Sequence, residues 1–200
     1  MPSFAFDPHE AQRLFQAGYA QGIHVGFEHG KNLALDPDTR LQQWFPKLKP
    51  GAYRIIGSAH ARYNCIAWAV GKRDAHWWPG QAPHSYWPSG IPTNSTLDAF
   101  VQLFRSIGYE ACTDPRFERR YEKVAIFVKG QHVTHAARQL GNGKWSSKLG
   151  QWELIEHDLE ALTGSSPTEY GDFQQIMRRN RGLVRMMREA IYHLFAEKLD

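Results

Sequence analysis

A chain of 200 residues is long enough for one domain with decoration and for a core that needs neither disulfides nor metal. Apolar content of 42% and charged content of 22% are those of an ordinary globular protein, and two cysteines are too few for a disulfide framework. The net charge of +4 is local: Arg178, Arg179, Arg181, Arg185 and Arg188 together exceed it, so the chain is near neutral with one basic C-terminal element.

The opening MPSFAFDPHE lacks the basic and apolar regions of a secretion signal. No run approaches the ~18 apolar residues of a membrane span. The expectation is a cytoplasmic protein whose thiols stay reduced. Asp7, Pro8 and Glu10 mark a helix start, and the helix is expected to reach about Lys31. Gly18, Gly22, Gly26 and Gly30 recur every four residues on its face. Each glycine costs a helix roughly 1 kcal/mol relative to alanine, so this face predicts close packing, either within the chain or by self-association. Residues 1–43 are taken as a helical extension.

A proline-containing connection follows, with a short helical piece around Leu41 to Phe45, and the main domain is expected over 44–170. Within it, Asn64 opens a helix that runs to Gly71 and carries Cys65 in its first turn. A helix start lowers a thiol's pKa, which suits a nucleophile. A small buried hydrophobe is the commoner fate of a free cysteine. The loop from 75 to 93 contains HWWPG and SYWPSGIP. Trp77, Trp78 and Trp87 would line a substrate groove or form a lid on the core. An amphipathic helix is predicted over 95–107, with Leu97, Phe100, Val101 and Phe104 on one face.

The period then changes to that of strands. KVAIFV (123–128) and 132–140 form a hairpin across Gly130-Gln131, and GNG leads into KWSSKLG and a strand at 152–155. Strict alternation along the second strand puts Val133, His135, Ala137 and Gln139 on the face expected to meet the Cys65 helix. His135 would then be either the imidazole partner of Cys65 or a satisfied core histidine. Gln139 would orient it or donate to an oxyanion, in competition with Ser146, Lys148 and His157.

Together NCIAWAVG, WWP, YWP, HAARQL and WSSKLG resemble a family of bacterial proteins of unassigned function. More distantly, a cysteine box on a helix start followed by a strand–turn–strand resembles the papain-like superfamily, closest to NlpC-type cell-wall peptidases. The resemblance implies an α+β fold with a papain-like core of helix followed by antiparallel meander. It further implies a cysteine hydrolase or acyltransferase acting on an amide or ester, with Cys65 as nucleophile. Where NlpC-type enzymes usually carry the base, this chain has Lys123, so either His135 has taken over or the site is degenerate. The alternative function is a non-catalytic binding module on that scaffold, which would use the Trp-Pro loops or the basic C-terminal element.

That last element, Asp172 to Leu199, is expected to be a helix with a capping box of Asp172 and Gln175. Arg178, Arg181, Arg185 and Arg188 would form a stripe able to meet phosphates, or an ordinary solvated face. No HExxH, paired CxxC or GxxxxGK[ST] motif occurs, so no metal or cofactor is expected.

Overall fold

Helix α1 (Pro37–Trp44) begins the part of the chain described by the computed structural model, residues 36–80 and 85–182. The Asp36 carboxylate accepts from the Thr39 backbone N–H and Pro37 takes the first helical position, so local sequence fixes this start. The glycine-striped N-terminal helix lies outside the described residues. Next come β1 (Arg54–Gly57), α2 (Cys65–Ala69), β2 (His76–Trp77), β3 (Ser85–Tyr86), α3 (Leu97–Ser106) and β4 (Glu110–Cys112). The remaining strands are β5 (Tyr121–Lys129), β6 (His132–Gln139), β7 (Trp145–Lys148), β8 (Leu154–His157) and β9 (Asp172–Asn180).

The fold is mixed α and β. A seven-stranded sheet runs in the order β1-β8-β7-β6-β5-β9-β4. Every neighbouring pair in it is antiparallel. Strands β2 and β3 make a separate small parallel ribbon. Among the described residues no helix is long and apolar enough to cross a membrane.

Both faces of the sheet are buried. On one, α2, α3, Trp77 and Trp78 pack on Val124, Ile126, Val128, Val133, Ala136 and Met177. On the other, Leu41 and Phe45 with Leu48, Trp152, Leu162 and Tyr170 pack on Ala125, Phe127, Ala137, Ile155 and Ile176. The apolar residues of β5 therefore alternate between two cores, which is why KVAIFV reads as an unbroken apolar run.

The expected C-terminal helix is corrected over its first part: 172–180 is strand β9, inserted between β5 and β4. Ile176 and Met177 are adjacent and buried in opposite cores, an arrangement only a strand provides. The Asp172/Gln175 pattern does not cap a helix here: Asp172 pairs with Val128, and Gln175 donates to the Cys112 and Ile176 carbonyls. Tertiary pairing has overridden a local signal.

Strand β6 is not regular either. It pairs Phe127 with His135 but Val128 with Val133, so Thr134 is an extra, bulged residue. Strand β9 carries a matching irregularity on the other side of β5, where Phe127 pairs with Phe173 and Ile126 with Gln175. The Thr134 hydroxyl donates to the Tyr170 carbonyl at 2.6 Å, which anchors the bulge.

Helix α1 is joined to the second core by a buried ion pair. The Arg40 Nη2 donates to Glu153 Oε1 at 2.6 Å, and the guanidinium lies over the Trp152 ring at 4.3 Å. The edge-on contact of Trp44 with Trp152 completes this seam.

Candidate functional site

Asn64 builds the local frame around Cys65. Its side-chain oxygen accepts from the Ala67 and Trp77 backbone N–H groups, and its amide donates to the Trp77 carbonyl. One side chain thus caps α2 and ties it to the ribbon strand β2. Cys65 sits in the first helical turn, as expected, but is only 6% exposed. Burial pushes its thiol up to about 11, against the opposing influence of the Ala136, Ile66 and Cys65 N–H groups and of Lys148. No disulfide joins Cys65 to Cys112, and both are free thiols.

The expected pairing of Cys65 with His135 is corrected by the sheet. Cys65 packs in the core that contains Val133 and Ala136. His135 lies on the other face, paired across the strands with Phe127 and stacked on Tyr170 at 4.1 Å and 5° between planes. The bulge at Thr134 is the physical reason. It resets the alternation, so that Val133 and Ala136 share one face while His135 and Ala137 share the other. The strand residue facing the thiol is therefore Ala136.

Gln139 is also directed elsewhere: its amide donates to the Pro115 and Gly143 carbonyls. Lys123 is fully buried with Nζ donating to the Asp114 and Arg116 carbonyls and paired with Glu118 at 2.6 Å. It holds the loop before β5 and does not reach α2's face. Ser146 accepts from the Trp68 indole at 3.0 Å and donates to the Arg138 carbonyl.

Lys148 does lie on the Cys65 side. Its Nζ is 5.7 Å from the Tyr63 ring and donates to the Gly150 and Trp152 carbonyls at 2.6 Å each. Burial lowers its pKa to about 8, against the opposing influence of Cys65 and Glu153. It fastens the β7–β8 turn and supplies positive potential to the thiol; it does not line an open groove.

The tryptophans expected to line a groove or form a lid are core residues. Trp77 and Trp78 are buried. Trp78 and the half-buried Trp87 both contact Phe100 edge-on, at 5.4 and 5.1 Å. The Trp87 indole donates to the Pro92 carbonyl. These loops close the core over α3.

The basic stripe is likewise redistributed. Arg178, on β9, pairs with Glu110 at 2.8 Å and lies over Tyr121. Arg181 is buried, its Nε donating to the Tyr121 carbonyl. Arg185 and Arg188 lie outside the described residues.

Around His135 lies a cluster of which the sequence singled out His157 but not Ser147. His157 Nδ1 lies 2.7 Å from the Asp158 carbonyl, which can only accept, so Nδ1 carries the proton. In the neutral ring Nε2 then accepts from the Ser147 hydroxyl at 2.8 Å, and Ser147 Oγ in turn accepts from His135 Nε2 at 2.8 Å. Burial lowers the His157 pKa to about 4, and burial together with His157 holds His135 well below its ordinary range. The result is a sealed chain of neutral groups ending on a backbone carbonyl. Only the alternation of WSSK and LIEH, which aims Ser147 and His157 inward together, hinted at it.

Among the described residues no three metal-ligating side chains converge. A model for a domain of unknown function (DUF7689) matches residues 54–178 of the chain. No curated protein and no solved structure is similar to it at a significant level.

Proposed function

The chain belongs to the family of the domain of unknown function DUF7689, and we propose that it is a non-catalytic binding module on a degenerate papain-like scaffold. The likeness to that scaffold rests on a short helix with cysteine in its first turn, capped by Asn64 and laid on an antiparallel sheet. The observation that carries the functional reading is the identity of the residue facing the thiol. A thiol nucleophile needs a base or a cation that keeps it ionised. Cys65 instead faces Ala136 and is closed from solvent, and burial raises its thiol to about 11 despite the positive potential of Lys148. The imidazole that would have served it is committed to Ser147 on the opposite face.

Alkylation by iodoacetamide, followed against pH by mass spectrometry, tests this reading, with the half-buried Cys112 as internal control. Cys65 is expected to label more slowly than Cys112 throughout, and its pH profile is expected to be unchanged in His135→Gln. Fast labelling of Cys65 below pH ~7 that disappears in the variant would establish a thiolate–imidazole pair. The thiol hydrolase or acyltransferase reading would then replace this one.

A further inference from the structure

Arg62, Lys72 and Arg73 place positive charge at the two ends of α2, outside the core that seals Cys65, with the neutral ring of His60 among them. His60 and Arg62 precede the helix, Lys72 and Arg73 follow it, and all four are exposed. The His60 ring meets Tyr63 edge-on at 4.5 Å. Burial, then Lys148, Arg62 and Arg73, hold its pKa below the ordinary range, so cations from both ends of the helix reach one imidazole. Arg73 is held over the Trp68 ring at 4.7 Å.

Many arginines of the domain are neutralised, although Arg105, Arg119 and Arg120, like the cations at α2, have no ion pair among the described residues. Arg40, Arg138, Arg178 and Arg179 each pair with a glutamate. Arg62, Lys72 and Arg73 form no ion pair with a described carboxylate, even though Asp74 follows in the chain. An exposed aromatic stands on the ribbon that is tied to α2 through Asn64. Tyr86 is 47% exposed and contacts Trp77 at 4.5 Å between centroids. His76, next to Trp77 on β2, hydrogen-bonds the Ala61 carbonyl at 2.7 Å, which ties the ribbon to the loop bearing His60 and Arg62.

We propose that His60, Arg62, Lys72 and Arg73, with the exposed ring of Tyr86, dock a carboxylate-rich peptide segment of a partner protein. The proposal rests on the binding-module reading and names its ligand class. Unpaired cations with an exposed tyrosine are the composition of a protein-binding surface, where Arg and Tyr carry much of the energy. The guanidinium fork matches a carboxylate in two-point contact. A nucleic acid would call for a longer track of cations along its phosphates.

The test is fluorescence anisotropy of a labelled poly-L-glutamate peptide with the full chain at low salt, alongside single-stranded oligo-dT. Binding of poly-L-glutamate is expected, falling roughly tenfold or more in R62E/K72E, two exposed positions, and several-fold in Tyr86→Ala. The control R119E/R120E reverses the same charge at two exposed positions on the β5 side and is expected to leave binding unchanged. Absence of binding, equal loss in both charge-reversed variants, or tighter binding of oligo-dT that is lost in R62E/K72E would overturn the proposal. Cys65 alkylation in the same samples separates the two failures. Fast labelling defeats the binding-module reading, whereas slow labelling without poly-L-glutamate binding defeats this proposal alone.

Discussion

Glu153→Ala is expected to destabilise the domain by about 3 to 5 kcal/mol, the range for removing one partner of a buried ion pair. The Arg40 guanidinium would lose its carboxylate in a seam where both side chains are almost wholly buried, while keeping its place over the Trp152 ring. The cost is chiefly that of the stranded charge rather than of the lost attraction. Replacing both partners with apolar side chains, as in R40M/E153M, is therefore expected to recover most of the loss. Urea unfolding followed by tryptophan fluorescence measures both. A loss under about 1 kcal/mol in Glu153→Ala would mean that the pair is solvated in the working protein. The outcome also bears on where the domain begins. Leu41, Phe45 and Leu48 belong to the second core yet precede the residues 54–178 matched by the family model. Cutting the chain at residue 54 would remove them together with Arg40.

Stability is expected to fall between about pH 6.5 and 4 by roughly 3 kcal/mol from His157 alone. The sign follows from the direction of the shift. The folded ring takes up a proton only near pH 4, whereas the unfolded ring does so near 6.5, so in that window the unfolded state binds more protons. The stabilising contribution is complete above the unfolded value and is lost as the pH falls through the folded one. His135, also held low, acts in the same direction. The carboxyls of Asp114 and Glu118 are held below their ordinary values, and their contribution is lost as the pH falls through and below those values, at the lower end of this window and beneath it. Urea midpoints across the range should fall steeply for the wild type and more gently for His157→Gln. The variant is expected to be less stable at neutral pH, since the bonds to Ser147 and Asp158 are altered, so the slope is the diagnostic quantity. An identical slope in both proteins would remove the buried imidazole from the explanation.

Much of the scaffold was legible in the sequence because it is set by neighbours in the chain. Asn64 before CIAWA, Thr96 before LDAFVQLFRS and the glycine turns between β5, β6 and β7 are local signals, and each element formed within a few residues of its expected place. Strand β9 was not legible. DFQQIMRRN carries a helix-capping pattern and arginines at helical spacing, and only the opening between β4 and β5 makes it a strand. The same holds for the site. The position of Cys65 at a helix start could be foreseen from Asn64, but the residue facing it depended on a bulge held by a hydroxyl–carbonyl bond between Thr134 and Tyr170. Thirty-odd residues of chain separate those two groups, and no window along one strand contains both. The tryptophans left groove and lid both open for a related reason: Pro and Gly around them mark turns, but whether a ring at a turn faces inward depends on Phe100 beneath it.

Thr134 also changes how this strand must be compared with its relatives. Odd-numbered positions before it and even-numbered positions after it look into the same core, so parity in the numbering does not survive the crossing. A relative without the extra residue should be aligned with a gap opposite Thr134. Aligned without that gap, every position on one side of it would be assigned to the wrong face, and a histidine in the relative that addresses the cysteine would be matched to His135, which does not. The position to inspect for a gained or lost base in other members of the family is the one aligned with Ala136.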